Sequence, residues 1–415
     1  MTAVPRLLVI MGSGETSPTM TKVHRDLLAR VGVPPAPALM LDTPYGFQEN
    51  ADDISAKALA YFRESVQREM TVATYRSAAA ADPVAYETML ARLRQAAYVF
   101  AGPGSPSYAL AQWTAGQVPV VLADTLRQGG CVVFASAAAV TLGPLALPVY
   151  EVYKVGHALH WLEGLDLMAE VGLRAVVVPH FNNAEGGNHD TRYCYMGERR
   201  LGLLEEMLPD DVFILGVDEH TACILDLDAG TATVSGLGAV TVRRGGVMAP
   251  VPSGETVPIS ELSAADAGGA APAAAVPAVS APAPAAELSL EAGTDRCQRE
   301  FDTALAAGDA RGAVKAALEL DALVVDWSRD TLQSDQVDRG RAALRTMIVQ
   351  LGDAAEEGLR DPRQVVGPFV EALLEARRQA RAESRWADAD TVRDRLVAAG
   401  VEVRDTPEGT SWDLP

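Results

Sequence analysis

In the first 255 residues, short apolar runs alternate with longer stretches whose apolar positions recur every three or four residues. The runs Leu7–Met11, Ala38–Asp42, Thr71–Tyr75, Tyr98–Ala101, Cys131–Ala135, Ala175–Pro179 and Val212–Gly216 read as strands. Helical patterns such as Asp53–Arg68 and Tyr86–Ala96 separate most of them. Continuously apolar strands alternating with helices predict an α/β fold, a mostly parallel sheet flanked by helices on both faces. Three further runs, Ala222–Leu227, Ala232–Ser235 and Ala239–Arg243, are spaced for antiparallel hairpins.

The pattern stops between Gly268 and Ala286, which is almost entirely Ala, Pro and Gly and carries no charge. Such a stretch has too little side chain to offset its ordering entropy, and its prolines favour an extended chain. The expected organisation is an α/β domain over 1–255, a disordered Ala/Pro-rich linker over 256–290 and a small all-α domain over 291–415. The last domain reads as helical to about Gly400, with a short irregular ending.

Charge narrows the partners. The 415 residues sum to −20, which argues against general binding to nucleic acid or anionic membranes. The four cysteines, Cys131, Cys194, Cys223 and Cys297, show neither metal-ligand spacing nor a disulfide framework, so no metal and no cofactor is expected. The uncharged stretch Gly129–Tyr150 is long enough to span a membrane, but its small residues and its Gly143-Pro144 turn fit a buried strand followed by a short helix. The N-terminal apolar run lacks a small-residue cleavage site. A cytoplasmic location is expected.

Parallel sheets present ligands beyond the carboxyl ends of their strands, and the candidate chemistry gathers there. Gly12-Ser13-Gly14-Glu15 follows the first strand, and Gly102-Pro103-Gly104 follows the fourth. Each is either a plain turn or a source of N–H donors, since neither completes a phosphate-loop motif. The fifth strand ends in Ala135-Ser136-Ala137-Ala138, a serine at a strand-to-helix junction among small residues, as a nucleophile elbow requires. The Ala137 N–H at the helix start is then placed for an oxyanion, with Gly102 and Gly104 as further donors. His180, beyond the sixth strand, is the best base candidate, with His157, His160 and His189 as competitors. Glu151, a lone charge among apolar residues, is the candidate acid.

These residues carry a resemblance. Residues 5–245 are similar to the peptidase E and cyanophycinase serine peptidases, which have a class I glutamine-amidotransferase-like fold. The resemblance rests on Gly12–Glu15, Gly102–Gly104, Ala135–Ala139, Val178–Phe181 and Gly216–Ala222. The family motif Gly-x-Ser-Ala-Gly aligns with Phe134–Ala138, so Phe134 and Ala138 stand where the family has glycine. The resemblance implies a triad of Ser136, His180 and Glu151, the glutamate lying within the family's window of fifteen to eighteen residues after the serine. It also implies a small charged, peptide-like substrate, with Gly14, Asn182, Asn183 and Arg192 as candidate binding residues. Serine in place of cysteine, with Cys131 five residues upstream, disfavours glutamine hydrolysis. Asp218-Glu219-His220 reads as partly structural.

The final segment resembles the helical C-terminal region of cysteinyl-tRNA synthetases, which contributes to anticodon-end recognition. The match runs through Val370–Arg378, Trp386–Asp390, Arg393–Leu396 and the ending Gly400–Trp412. No HIGH-type or KMSKS-type motif precedes it, so cysteine activation is not expected. Arg377, Arg381 and Arg385 recur at four-residue spacing on one helical face. With Trp386 and Trp412 as stacking surfaces they are candidate RNA contacts. Against this, residues 287–415 hold 17 basic and 26 acidic side chains, so a protein partner is the alternative to tRNA. The reading leaves room for a homodimer and excludes a membrane partner. The functional expectation is therefore a serine hydrolase with a tethered accessory module; the alternative is a catalytically silent tRNA- or protein-binding protein.

Overall fold

The computed structural model describes residues 4–185, 189–264, 289–328, 336–358, 362–406 and 409–414. They fall into two compact units, one of residues up to Thr294 with Asp321–Gly340, the other of Asp295–Leu320 with residues from Arg341 onward.

The first unit's strands are β1 (Arg6–Met11), β2 (Ala38–Leu41), β3 (Thr71–Ala73), β4 (Tyr98–Ala101), β5 (Gly130–Ala135), β6 (Leu145–Ala146) and β7 (Leu162–Glu163). They continue with β8 (Ala175–Val178), β9 (Phe213–Val217), β10 (Thr221–Asp226), β11 (Thr231–Gly236), β12 (Ala239–Arg244), β13 (Val247–Pro252) and β14 (Thr256–Pro258). Its helices are α1 (Thr21–Arg30), α2 (Ala51–Tyr61), α3 (Pro83–Gln95), α4 (Pro106–Trp113), α5 (Val118–Gln128), α6 (Ser136–Val140), α7 (Val149–Tyr153), α8 (Gly197–Glu205) and α9 (Ile259–Ala264).

The large sheet runs β14-β11-β10-β1-β5-β4-β2-β3, with a parallel heart from β3 to β1. β10, β11 and β14 extend it antiparallel beyond β1. A second sheet, β13-β12-β9-β8, keeps only its β8–β9 pair parallel. The architecture is the expected sheet flanked by helices, with a parallel heart closed by the antiparallel strands that follow Val217.

Strand parity explains the layering. Leu8 and Ile10 face one buried cluster with Val132 and Phe134, while Leu7, Val9 and Met11 face another with Cys131, Val133 and Ala135. Both sheet faces are therefore packed, which is why these strands read as unbroken apolar runs. The uncharged segment 129–150 supplies β5, α6 and β6, and no described helix is long and apolar enough to cross a membrane. The buried His24 ring is bonded on both sides, between the Glu15 carbonyl (2.7 Å) and the Tyr98 hydroxyl (2.6 Å).

The first unit extends past residue 255. β14 pairs with β11 and α9 follows it, so the expected linker cannot begin at 256. The Ala/Pro-rich stretch itself lies outside the described residues.

The later elements are α10 (Leu290–Ala306), α11 (Ala310–Trp327), α12 (Gln336–Gly358), α13 (Pro362–Ala382) and α14 (Trp386–Ala398), followed by β15 (Glu402–Thr406) and β16 (Gly409–Asp413). The expected irregular ending is instead a β-hairpin, with Val403 opposite Trp412. Val401 and Val403 alternate inward and join Val370, Leu374 and Leu396 in a small core. That burial is what orders the terminal segment.

Candidate active site

β5 enters the site in extended conformation and turns at Ser136, whose φ of +49° is left-handed. His180, just beyond β8, has the same φ of +49°, and His220 after β9 has +53°. Each left-handed non-glycine residue costs about 1–3 kcal/mol, so its surroundings must impose it. Around Ser136 the Ala138 N–H donates to the Gly102 carbonyl (3.2 Å). Around His180 its carbonyl accepts from the N–H groups of Asn183 and Cys194, both at 3.2 Å. Phe134, in place of the family's glycine, points away from the turn into the core beside Trp113, ring centroids 5.4 Å apart.

The three side chains that meet here are Ser136, His180 and Glu219. Ser136 Oγ lies 2.9 Å from His180 Nε2, and His180 Nδ1 lies 2.8 Å from Glu219 Oε1. Topology brings them together. β8 and β9 are parallel neighbours with Val178 opposite Gly216, so the residues just beyond their ends, His180 and Glu219, emerge side by side. Gly216 is required there, since a Cβ would come within 2.4 Å of the Phe181 ring.

Burial alone would raise the Glu219 carboxyl. The His180 hydrogen bond and charge, with the Asn183 amide donating at 3.0 Å, outweigh it and hold the group below the ordinary glutamate value. The carboxylate is thus kept ionised against the imidazole, as needed to fix one tautomer and stabilise an imidazolium.

Glu151, the expected acid, is elsewhere. Its Oε1 accepts from the Ser107 hydroxyl at 2.5 Å, and it lines a neighbouring cleft. The reason is local: α7 carries Glu151 toward α4, where Ser107 lies in the first turn. The histidine's partner comes instead from the β9–β10 turn.

Ser136 and His180 line a cleft of 520 Å³ with Tyr45, Pro103, Gly104, Lys57 and Lys154. Gly104 holds the wall close. Its φ is +141°, a Cβ would fall 2.0 Å from the Pro44 carbonyl oxygen, and that same oxygen accepts from the Ser105 N–H at 2.8 Å. Tyr195 stacks on Tyr153 opposite, centroids 5.1 Å apart, and donates its hydroxyl to Glu185 (3.0 Å). Ala137 occupies the second position of α6, where a helix leaves N–H groups without intrahelical acceptors.

The other expected binding residues have structural partners. Gly14 packs against the His220 ring, which a Cβ would strike at 2.1 Å. Asn182 Oδ1 accepts from the Glu219 N–H (2.8 Å) and Asn183 bonds the Glu219 carboxylate, so both hold the acid. Arg192 closes on Asp190 through two bonds of 2.9 Å. Among the competing histidines, His189 lines the cleft, while His160 bonds the Ala158 carbonyl. Cys131 is buried in β5, and burial pushes its thiol up. Among the described residues no three His, Cys, Asp or Glu side chains gather as a metal ion would require.

In the helical unit the arginine series turns partly inward. Arg377, 3% exposed, grips Asp405 through two bonds of 2.8 Å, and Arg381 reaches the same carboxylate at 3.4 Å. Arg385 bonds Glu383 and Asp388, and the Trp412 indole N–H donates to Glu371 (2.8 Å). Arg377 therefore ties α13 to the hairpin and is not presented to RNA.

The comparisons divide along the same line. Residues 366–412 match the cysteinyl-tRNA ligase anticodon binding domain. The cysteine–tRNA ligase of Arthrobacter sp. strain FB24 is 57% identical over 49 residues, 12% of this chain and 10% of that protein. The cysteine–tRNA ligase of Paenarthrobacter aurescens strain TC1 is 35% identical over 118 residues, 28% of this chain and 20% of that protein. The chain thus spans a fifth or less of these relatives' length. A solved peptidase from an acI-B1 Actinobacterium aligns over 61% of this chain and 97% of its own, with TM-score 0.50 and 19% identity, a likeness of fold. A structure from Listeria monocytogenes EGD-e bearing the name peptidase E covers 60% and 99%, at 13% identity and TM-score 0.36.

Proposed function

We propose that the α/β unit is a cytoplasmic serine hydrolase that cleaves an amide bond in a small charged peptide. The observation that carries this is the unbroken chain from Ser136 Oγ through His180 to Glu219 at the floor of an open cleft. Ser136 Oγ attacks the carbonyl carbon while its proton passes to His180 Nε2. The C–N bond then breaks, and His180 delivers that proton to the departing amine. Water attacks the resulting ester carbonyl and gives a proton to His180; the C–Oγ bond then breaks, the carboxylic acid leaves, and His180 returns the proton to Ser136 Oγ. Glu219 orients the ring throughout, and the Ala137 N–H with the Gly102–Gly104 loop serves the oxyanion. The test is a screen of short charged peptides: turnover by the native protein and its loss in Ser136→Ala support the mechanism, and full turnover in Ser136→Ala refutes it.

The match of residues 366–412 favours a second role beside this one, contact with tRNA through the helical unit. Its test is tRNA binding by the full chain at low salt. Enrichment of one tRNA supports the role; capture of a protein with no RNA assigns the module to protein docking.

A further inference from the structure

Beside His180 the chain makes three consecutive left-handed residues, none of them glycine: Tyr193 (φ +61°), Cys194 (φ +55°) and Tyr195 (φ +67°). Residues with a Cβ visit this region singly, so a run of three must be imposed by its surroundings. The turn in return fixes the backbone of the histidine. The Cys194 N–H donates to the His180 carbonyl (3.2 Å) and the Tyr193 N–H to the Phe181 carbonyl (3.0 Å). The Tyr193 ring packs on Phe181 with centroids 4.5 Å apart, and the Tyr195 ring lies 6.2 Å from the His180 ring.

One carboxylate spans the strained segment from end to end. Before it, Asp190 Oδ1 accepts from the Arg192 N–H (3.1 Å) and from Arg192 Nε (2.9 Å). After it, Asp190 Oδ2 accepts from the Glu198 N–H (2.9 Å) in the first turn of α8, and it also bonds Arg192 Nη2 (2.9 Å). The Gly197 N–H closes the loop on the Arg192 carbonyl (2.9 Å), and the Arg192 guanidinium lies 5.0 Å from the Tyr193 ring centroid. We propose that Asp190 is a positioning residue for His180, holding the imidazole against Ser136 through the left-handed turn at Tyr193–Tyr195. It acts from behind the cleft: Thr191 and Tyr195 line it, whereas Asp190 and Arg192 do not. His180 is itself left-handed, at φ +49°, so releasing the clasp lets two strained segments relax together. The contact they would disturb is the 2.9 Å approach of Nε2 to Ser136 Oγ, and a displacement of about 1 Å at reacting groups costs on the order of 100-fold in rate.

The test uses the full-length protein and two readouts. An imidazole N–H bonded to a carboxylate gives a far-downfield proton resonance, and that of His180 Nδ1, 2.8 Å from Glu219, is identified by its loss in His180→Gln. Fluorophosphonate labelling of Ser136 is timed beside it. In Asp190→Ala the resonance moves upfield or disappears, and labelling per folded molecule slows about 10- to 100-fold. In Asp190→Asn, which keeps the Oδ1 acceptor, both changes are smaller. A clasp that only adds stability lowers the melting temperature and moves neither readout. A native resonance and a native labelling rate in folded Asp190→Ala therefore overturn the proposal; where that variant does not fold, the same two results in Asp190→Asn overturn it. The labelling arm rests on the hydrolase reading and the resonance does not. A native chain that fails to label sinks that reading alone, and the resonance then decides the clasp.

Discussion

Glu219 and Arg377 are both largely enclosed charged side chains bonded to a partner of opposite or protonatable character, yet they do different work. Around Glu219 the chain of bonds leads outward, through His180 to a hydroxyl on the floor of a cleft. Around Arg377 it closes on itself, because Asp405 takes both arms of the guanidinium and Thr410 bonds the same carboxylate. A buried charge becomes part of a site when its network ends at accessible, reactive atoms. It becomes a strut when the network ends at its own counter-ion.

The largest effect that tests this contrast is at Glu219. Glu219→Gln keeps the size of the side chain but removes the charge, and should cost roughly 10³–10⁴-fold in turnover or in nucleophile reactivity. A loss of that size in Glu151→Gln, with Glu219→Gln unimpaired, would restore the other glutamate as orienter.

Arg377→Ala comes next. It should destabilise the helical unit by about 1–3 kcal/mol and speed hydrogen exchange in the hairpin strands 402–406 and 409–413, whereas Arg385→Ala, on the surface, should leave stability nearly unchanged. Similar effects from the two arginines would break the distinction between strut and surface charge.

A smaller effect follows from acid. The Arg377 hydrogen bond, with that of Thr410, holds the Asp405 carboxyl well below the usual aspartate range. Its stabilising share is therefore complete above the unfolded aspartate value of about 3.9 and is lost as pH falls through the lower folded value. Asp405→Asn should be less stable than the native chain at neutral pH and should show a shallower loss on acidification, followed by thermal melting from neutral to acid pH.

Much of this was legible in the chain. The seven strand candidates ahead of β10 lie within a residue or two of those observed, because strands packed on both faces are apolar throughout. Ser136 and His180 were legible because each directly follows such a strand. Distance along the chain from Ser136 favours Glu151, whereas strand adjacency favours Glu219, the residue that His180 meets. The signal was present: the strands ending at Val178 and Val217 are consecutive in the chain, and parallel pairing sets their following residues side by side. Phe134 keeps its strand direction into the core against Trp113, while the left-handed turn at Ser136 swings the serine away from it. The terminal hairpin was not legible because only Val401, Val403 and Trp412 carry its apolar pattern, too few for alternation to stand out.

The most direct measurement is labelling of the purified full-length protein with a fluorophosphonate, with the adduct located by peptide mass spectrometry. The account predicts modification confined to Ser136, absent in Ser136→Ala and strongly slowed in Glu219→Gln. An adduct on a different serine, or labelling of Ser136 at the native rate in Glu219→Gln, would contradict it.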